Sequence, residues 1–430
     1  MLVKRSVSIL FSGCSATVAI DSLTTALKNQ PMKAIAIILL VLLNAPMFSQ
    51  ELAIYEKHLL PIYSENLRDS ITLELHLPVS FREASGKAPF PVIVLFDSYN
   101  ENTHAYNIHS VDMLTLHGQI PESIIVGIPF TMRNRSYLTS TDKKEGDTLS
   151  GIERMERFLF EELLPRLARD YQGVGPRILL GHSRTAFLTS YLMCRRYQAF
   201  EAAGSFSGFY EPGFDEATLG AFLREMETEG RPFRYYFSAG TTREEAGYLK
   251  DYSRMSAFLE DQNPPEAFSW KYSEQANANH MTNFNLSVPW VLVDYFGPYN
   301  RILDEWLFQK LESVPADSAL ALLQKDFETV SKSFGKVVAP SPLHIFSIGS
   351  HYINNGSYDA ALDIFQYGKT YYPFSYDMDY NIIEIYNSKG DSRKAEEWIE
   401  KTILQARSDA ALSQPDKDAL IADFEGMKKG

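Results

Sequence analysis

Between residues 65 and 298 two hydrophobic patterns take turns along the chain. Residues 71–77 alternate apolar and polar side chains, the period of a strand with one face covered. Residues 91–96 and 123–128 are unbroken apolar runs, as expected of parallel strands covered on both faces. Shorter strands are expected at 177–180, 202–207, 233–238 and 267–272. Helical stretches fall at 151–169, 184–197, 217–228, 246–261 and 284–295. Repeated strand–helix alternation implies right-handed crossovers and an α/β three-layer sandwich. Its functional loops are expected beyond the carboxyl ends of the strands.

The pattern then becomes helical throughout. Residues 299–340 read as linker helices, and 342–409 repeat at an offset of 34 residues. Tyr352 pairs with Tyr386, Gly356 with Gly390, Ala361 with Ala395 and Phe365 with Ile399. This all-α region, 341–430, resembles tetratricopeptide repeats, paired helices in which small residues permit close packing and aromatics fill the groove. Such repeats would either bind a protein partner or pack against the α/β part, which is assigned residues 50–298.

At the amino end, Met32-Lys33 precedes an apolar run, 34–43, and then Asn44 to Gln50, with a plausible cut after Ser49. Residues 1–49 therefore read as an extension plus a signal peptide. The chain is expected to be exported, periplasmic or secreted, with no stable transmembrane span afterwards. A lipoprotein reading at Cys14 has only a very short apolar stretch before it. Processing would leave Cys194 as the sole cysteine, read as a buried apolar side chain of a helix. The net charge of −13, from 54 acidic and 41 basic residues, argues against a nucleic-acid partner.

The chemistry concentrates where strand 177–180 meets helix 184–197. Gly181-His182-Ser183 lies at that junction, the layout of a nucleophile elbow, in which a sharp turn exposes the serine hydroxyl. The second small position of the usual pattern is Thr185, a β-branched residue. A serine needs a base, and of nine histidines His280 stands in the right place, between the last strand and last helix. The acid that would orient it is Glu244, with Glu245 as the alternative; on a helix the two would point about 100° apart. Oxyanion donors are expected from the backbone N–H of Arg184 and of Ser98 or Tyr99. His182, Arg133 and Arg135 reach the same rim as substrate contacts, although the arginines would equally serve in ion pairs that lock the loop. No metal site is expected, because His-Glu-x-x-His is lacking and His104, His109 and His117 have no zinc spacing. No glycine-rich loop follows the first strand, so no nucleotide cofactor is expected.

Val94-Leu95-Phe96-Asp97, Ile125-Val126-Gly127-Ile128 with Arg133 and Arg135, Gly181-His182-Ser183, Phe206-Ser207 and Ala278-Asn279-His280 together resemble the esterase group of α/β-hydrolases that includes the esterase D-like and enterochelin-esterase-like enzymes. The resemblance covers residues 65–298 and implies hydrolysis of carboxylic esters through an acyl-serine intermediate. Ser183 and His280 match the catalytic positions. Its members act on siderophore trilactones, acyl esters and esters of plant polysaccharides, so no single substrate is selected. The chain departs from the group at Thr185 and Ser98, where glycine is common. The reading is a serine esterase acting on a small-molecule or acyl ester. The alternatives are an inactive scaffold whose repeats bind a protein, or a thioesterase using the same site.

Overall fold

A computed structural model describes residues 54–131, 134–209 and 214–428, apart from the side chain of Glu229. The proposed signal segment, with Cys14, lies outside the described residues.

The apolar runs become the centre of one eight-stranded sheet. Its strands are β1 (Tyr55–Ser64), β2 (Asp69–Pro78), β3 (Val92–Phe96), β4 (Ile124–Ile128), β5 (Arg177–His182), β6 (Ala202–Phe206), β7 (Phe233–Gly240) and β8 (Phe268–Gln275). They lie in the order β1-β2-β4-β3-β5-β6-β7-β8. β1 and β2 run antiparallel to their neighbours, and β3 to β8 are parallel. Every residue of β3 and β4 is buried, as continuous apolar strands require when helices cover both faces. This is the three-layer α/β-hydrolase fold.

The helices that position the site are α1 (Glu101–Leu116), α2 (Gly151–Arg157), α3 (Arg184–Arg196), α4 (Glu216–Glu229), α5 (Ala246–Gln262) and α6 (His280–Tyr295). α2 continues through a π-helical turn, Phe158–Leu163, into Leu164–Tyr171. It starts at a capping box, in which Ser150 Oγ accepts from Glu153 N–H and Ser150 N–H donates to the Glu153 carboxylate. β1 and α1 are absent from the sequence expectation. β1 pairs only with β2 and contains Pro61, which an edge strand tolerates. α1 buries His104, Asn107, Val111 and Thr115, a helical face that apolar periodicity alone does not reveal.

Beyond α6 the chain is all helical: α7 (Gly297–Glu305), α8 (Ala319–Phe334), α9 (Pro342–Asn354), α10 (Tyr358–Tyr371), α11 (Tyr376–Ser388), α12 (Ser392–Ser408) and α13 (Gln414–Met427). The residues matched at the 34-residue offset occupy equivalent places. Gly356 and Gly390 both follow the first helix of a pair with φ of 72°; Ala361 and Ala395, and Phe365 and Ile399, are buried in the second. This region meets the sheet at its amino end. Tyr299, Val338, Ser341 and Tyr372 face Phe90, Pro91, Pro121 and Glu122, which lead into β3 and β4. The Phe374 N–H also donates to the Glu83 carbonyl.

A buried ion pair joins α10 to α11. Asp379, 2% exposed, accepts from Lys369 Nζ at 2.7 Å and from the Trp398 indole N–H at 2.9 Å. Removing one member of a buried pair strands the other. Asp379→Ala is expected to destabilise the helical region by about 3 kcal/mol, and Asp379→Asn by less, because it keeps an acceptor for Trp398. Urea titration followed by tryptophan fluorescence measures both.

Candidate active site

β5 ends at His182, and Ser183 turns the chain into α3 with φ 60° and ψ −117°. That conformation is rare for a residue with a side chain. It is a strained strand-to-helix turn, the backbone layout that a nucleophile elbow uses. Gly181 makes the turn possible, since a Cβ there would lie 2.2 Å from the Thr185 carbonyl oxygen. The Ser183 N–H donates to the Phe206 carbonyl, continuing the β5–β6 ladder past the strand end. Arg184 is the first residue of α3, and the first N–H groups of a helix lack intrahelical acceptors.

Thr185 does more than fill the place of a glycine. It is fully buried, and its hydroxyl accepts from the His182 N–H at 2.8 Å and donates to Asp97 Oδ2 at 2.7 Å. Asp97, which follows β3 with φ 65°, also takes a two-pronged contact from Arg135, Nε to Oδ1 at 2.6 Å and Nη2 to Oδ2 at 2.8 Å. The Arg135 guanidinium reaches the His182 carbonyl oxygen as well, at 3.1 Å. Arg135 thus makes the ion pair that locks the loop, the alternative its sequence position also allowed. Arg133 lies outside the described residues.

His280 is the first residue of α6. Asn279 caps that helix, accepting from Thr282 N–H while donating its own N–H to the Thr282 hydroxyl. The expected loop histidine is thus held at a helix start. Its Nδ1 lies 2.6 Å from Glu245 Oε1; an ionised carboxylate only accepts, so Nδ1 carries the proton and Nε2 presents its lone pair. The acid at the ring is Glu245, which corrects the preference for Glu244. A 3₁₀ turn, Arg243–Glu245, turns Glu245 inward, whereas Glu244 accepts from the His280 backbone N–H at 3.1 Å.

Glu245 is fully buried and accepts two further bonds, from Ser207 Oγ at 2.6 Å and Gly240 N–H at 2.9 Å. Burial pushes its carboxyl upward, but the bonds from His280, Ser207 and Gly240 outweigh that and hold it below the usual glutamate range. Gly240 permits the close approach: a Cβ there would lie 2.2 Å from the Ala278 carbonyl oxygen and 2.9 Å from Glu245 Cγ. Ser207 accepts in turn from Asn283 Nδ2 at 2.8 Å. Sequence reasoning missed Ser207 and Asn283 as supports, along with Tyr248, whose ring stacks on His280 at 4.8 Å and 21°.

His182 also packs against His280, with ring centroids 4.4 Å apart. Its Nε2–H donates to the His280 carbonyl oxygen at 2.6 Å. His182 is buried and oriented by that bond, which ties the strand end to His280. Of the two proposed loop donors, the Ser98 N–H is already taken by the Ile128 carbonyl at 3.2 Å, so Ser98 is set aside and Tyr99 stays. Cys194 is half-buried rather than buried, and desolvation raises its thiol above the ordinary range, the direction that disfavours the thiolate.

The family model described as Putative esterase matches residues 64–292, more than half of the chain. The chain belongs to this family and is a hydrolase of the esterase type. The fold is shared with solved structures of low sequence identity. An uncharacterised protein from Capnocytophaga ochracea is 14% identical with a TM-score of 0.54, over 87% of this chain and 100% of that one. An IroE-like serine hydrolase from Shewanella oneidensis is 15% identical with a TM-score of 0.56, over 73% of this chain and 98% of that one. No curated protein matches the sequence.

Two predictions follow from the supports of the elbow. Thr185→Val removes a hydroxyl that serves two buried partners and is expected to cost about 2 kcal/mol of stability; Thr185→Ser keeps the hydroxyl and most of the stability. Chemical denaturation of the three proteins compares them. Burial, reinforced by the neighbouring His280 charge, lowers His182 to about 3. The unfolded chain therefore binds a proton at this residue between about pH 6.5 and pH 3 that the folded state does not. Stability should fall as pH drops through that window, by up to about 1.4 kcal/mol per unit from this group, and His182→Gln should flatten the slope in a pH series of unfolding midpoints.

Proposed function

We propose that the chain hydrolyses carboxylic esters through an acyl-serine intermediate, with Ser183 as nucleophile, His280 as base and Glu245 as the acid that orients it. The observation that carries this reading is the strained Ser183 turn, whose preceding residue His182 packs against a histidine that holds a buried, ionised glutamate on its Nδ1–H. Ser183 Oγ attacks the ester carbonyl carbon as His280 Nε2 takes its proton, and the carbonyl oxygen becomes an oxyanion. The N–H groups of Arg184 and Tyr99 are the proposed donors to that oxygen. Collapse of the adduct breaks the bond to the alcohol oxygen, which takes the proton from His280. Water, deprotonated by His280, then attacks the acyl carbon, and the acid leaves as Ser183 regains its proton.

The natural ester is taken to be a small molecule. The apolar segment 34–43 supports export to the periplasm or beyond, and the equivalent places of the 34-residue matches support a tetratricopeptide-type reading of α9 to α12, with a protein partner there. Among the described residues no helix is long and apolar enough to cross a membrane.

The test is turnover of a panel of p-nitrophenyl acyl esters, with covalent labelling by a serine-directed fluorophosphonate. Ser183→Ala and His280→Ala are expected to abolish turnover with folding intact, and Ser183→Ala to abolish labelling. Glu245→Gln should lower kcat by roughly 10³-fold or more, and Glu244→Gln far less. A folded protein that neither turns over any ester nor labels at Ser183 would overturn the proposal in favour of a scaffold.

A further inference from the structure

On the sheet face beneath α1, β2 and β4 leave a space that side chains enter from three directions. Glu74 stands opposite Gly127 in the β2–β4 register, and His76 opposite Ile125. Because Gly127 has no side chain, His104 of α1 and Ser98 reach into its place; a Cβ there would lie 2.9 Å from both His104 Nε2 and Ser98 Cβ. His76 and His104 are 7% and 6% exposed. The Nε2 atoms of both, and the Ser98 hydroxyl oxygen, are buried with no hydrogen-bond partner. One Glu74 carboxylate oxygen lies 3.8 Å from His76 Nε2 and 3.5 Å from His104 Nε2, and the three ligand atoms all lie within 4.8 Å of one another.

We propose that Glu74, His76 and His104 form a binding site for a divalent transition metal of the zinc class. Two imidazole nitrogens and one carboxylate oxygen are a donor set that zinc takes readily. Bonds of 2.0–2.1 Å in tetrahedral geometry place ligand atoms about 3.3 Å apart. The two Glu74 separations are already close to that, and the histidine pair needs only a modest closure. Unpartnered buried nitrogens are costly, and a bound cation would satisfy both at once.

One competitor is present. Lys57 Nζ lies 2.8 Å from the Glu74 oxygen that faces the histidines. Its side chain is half exposed and can swing into solvent when a cation takes the carboxylate. The site would tie β2 to α1, the helix that begins two residues after Tyr99, behind the Asn100 cap.

The test uses the untagged full-length chain, stripped with chelator and titrated with Co²⁺, whose visible absorption reports ligand geometry, followed by displacement with Zn²⁺. One equivalent of Co²⁺ giving a four- or five-coordinate spectrum, lost on adding Zn²⁺, is expected. Glu74→Gln and His104→Ala should each weaken binding by roughly tenfold or more, while Lys57→Met should tighten it by freeing the carboxylate. Glu74 lies partly at the surface, so its variant should keep the near-ultraviolet circular dichroism of the parent, a check that separates lost binding from lost fold. No stoichiometric cobalt spectrum in the folded parent would overturn the proposal. So would a spectrum unchanged in both ligand variants, or one lost in Lys57→Met.

Discussion

The geometry of this site depends on the contact between the Thr185 hydroxyl and the Asp97 carboxylate, a carboxylate whose charge Arg135 balances. Three parallel strands, β3, β5 and β6, end nearly flush. Each is followed by a non-glycine residue at positive φ: Asp97 at 65°, Ser183 at 60° and Ser207 at 51°. Such conformations persist only where surrounding bonds over-determine them. Arg135 and Thr185 hold Asp97, the Phe206 carbonyl takes the Ser183 N–H, and Ser207 is fixed through its N–H to Ser238 and its hydroxyl to Glu245. The strain at the elbow is thus shared with its neighbours, and the threonine that departs from the common pattern joins the first two turns.

This arrangement separates the two ends of the sheet. The proposed reacting groups gather at the carboxyl end, and the helical region packs against the segments that lead into β3 and β4 at the amino end. The helices α9 to α13 are therefore not placed as a lid over Ser183. A partner bound to them would act on the site only through the body of the sheet, whose inner strands are fully buried and close-packed.

Much of the fold was legible in the sequence because its signals were strong: unbroken apolar runs for the inner strands, alternation for β2, and a fixed repeat offset in the helices. β1 was hidden by its proline and its edge position. α1 was hidden because its buried face is built from His104 and Asn107 as much as from Val111 and Thr115, which apolar counting discards. The same polar face supplies one of the three proposed metal ligands, and the other two come from β2, so linear spacing of histidines had nothing to detect. Ser183 and His280 stand out in the sequence as candidates because motif and topology both point to them. The separate fates of Ser98 and Tyr99, and of Arg135, turn on which hydrogen bonds are already taken, and only the folded chain decides that.

The choice between two adjacent glutamates shows how fully His280 is constrained. In the 3₁₀ turn one carboxylate points inward and its neighbour reaches along the chain, so both serve the same residue. Glu244 holds the His280 backbone N–H and Glu245 holds its Nδ1. His182 binds the His280 carbonyl and lies against one side of the ring, and Tyr248 stacks on it. Backbone donor, backbone acceptor and one ring nitrogen are thereby occupied, and two aromatic rings pack on the imidazole. The remaining quarter of its side-chain surface is open, and Nε2 is the ring nitrogen left without an assigned partner. A histidine wanted only for packing would need none of this control over its tautomer, whereas one that must take a proton from a neighbouring hydroxyl needs all of it.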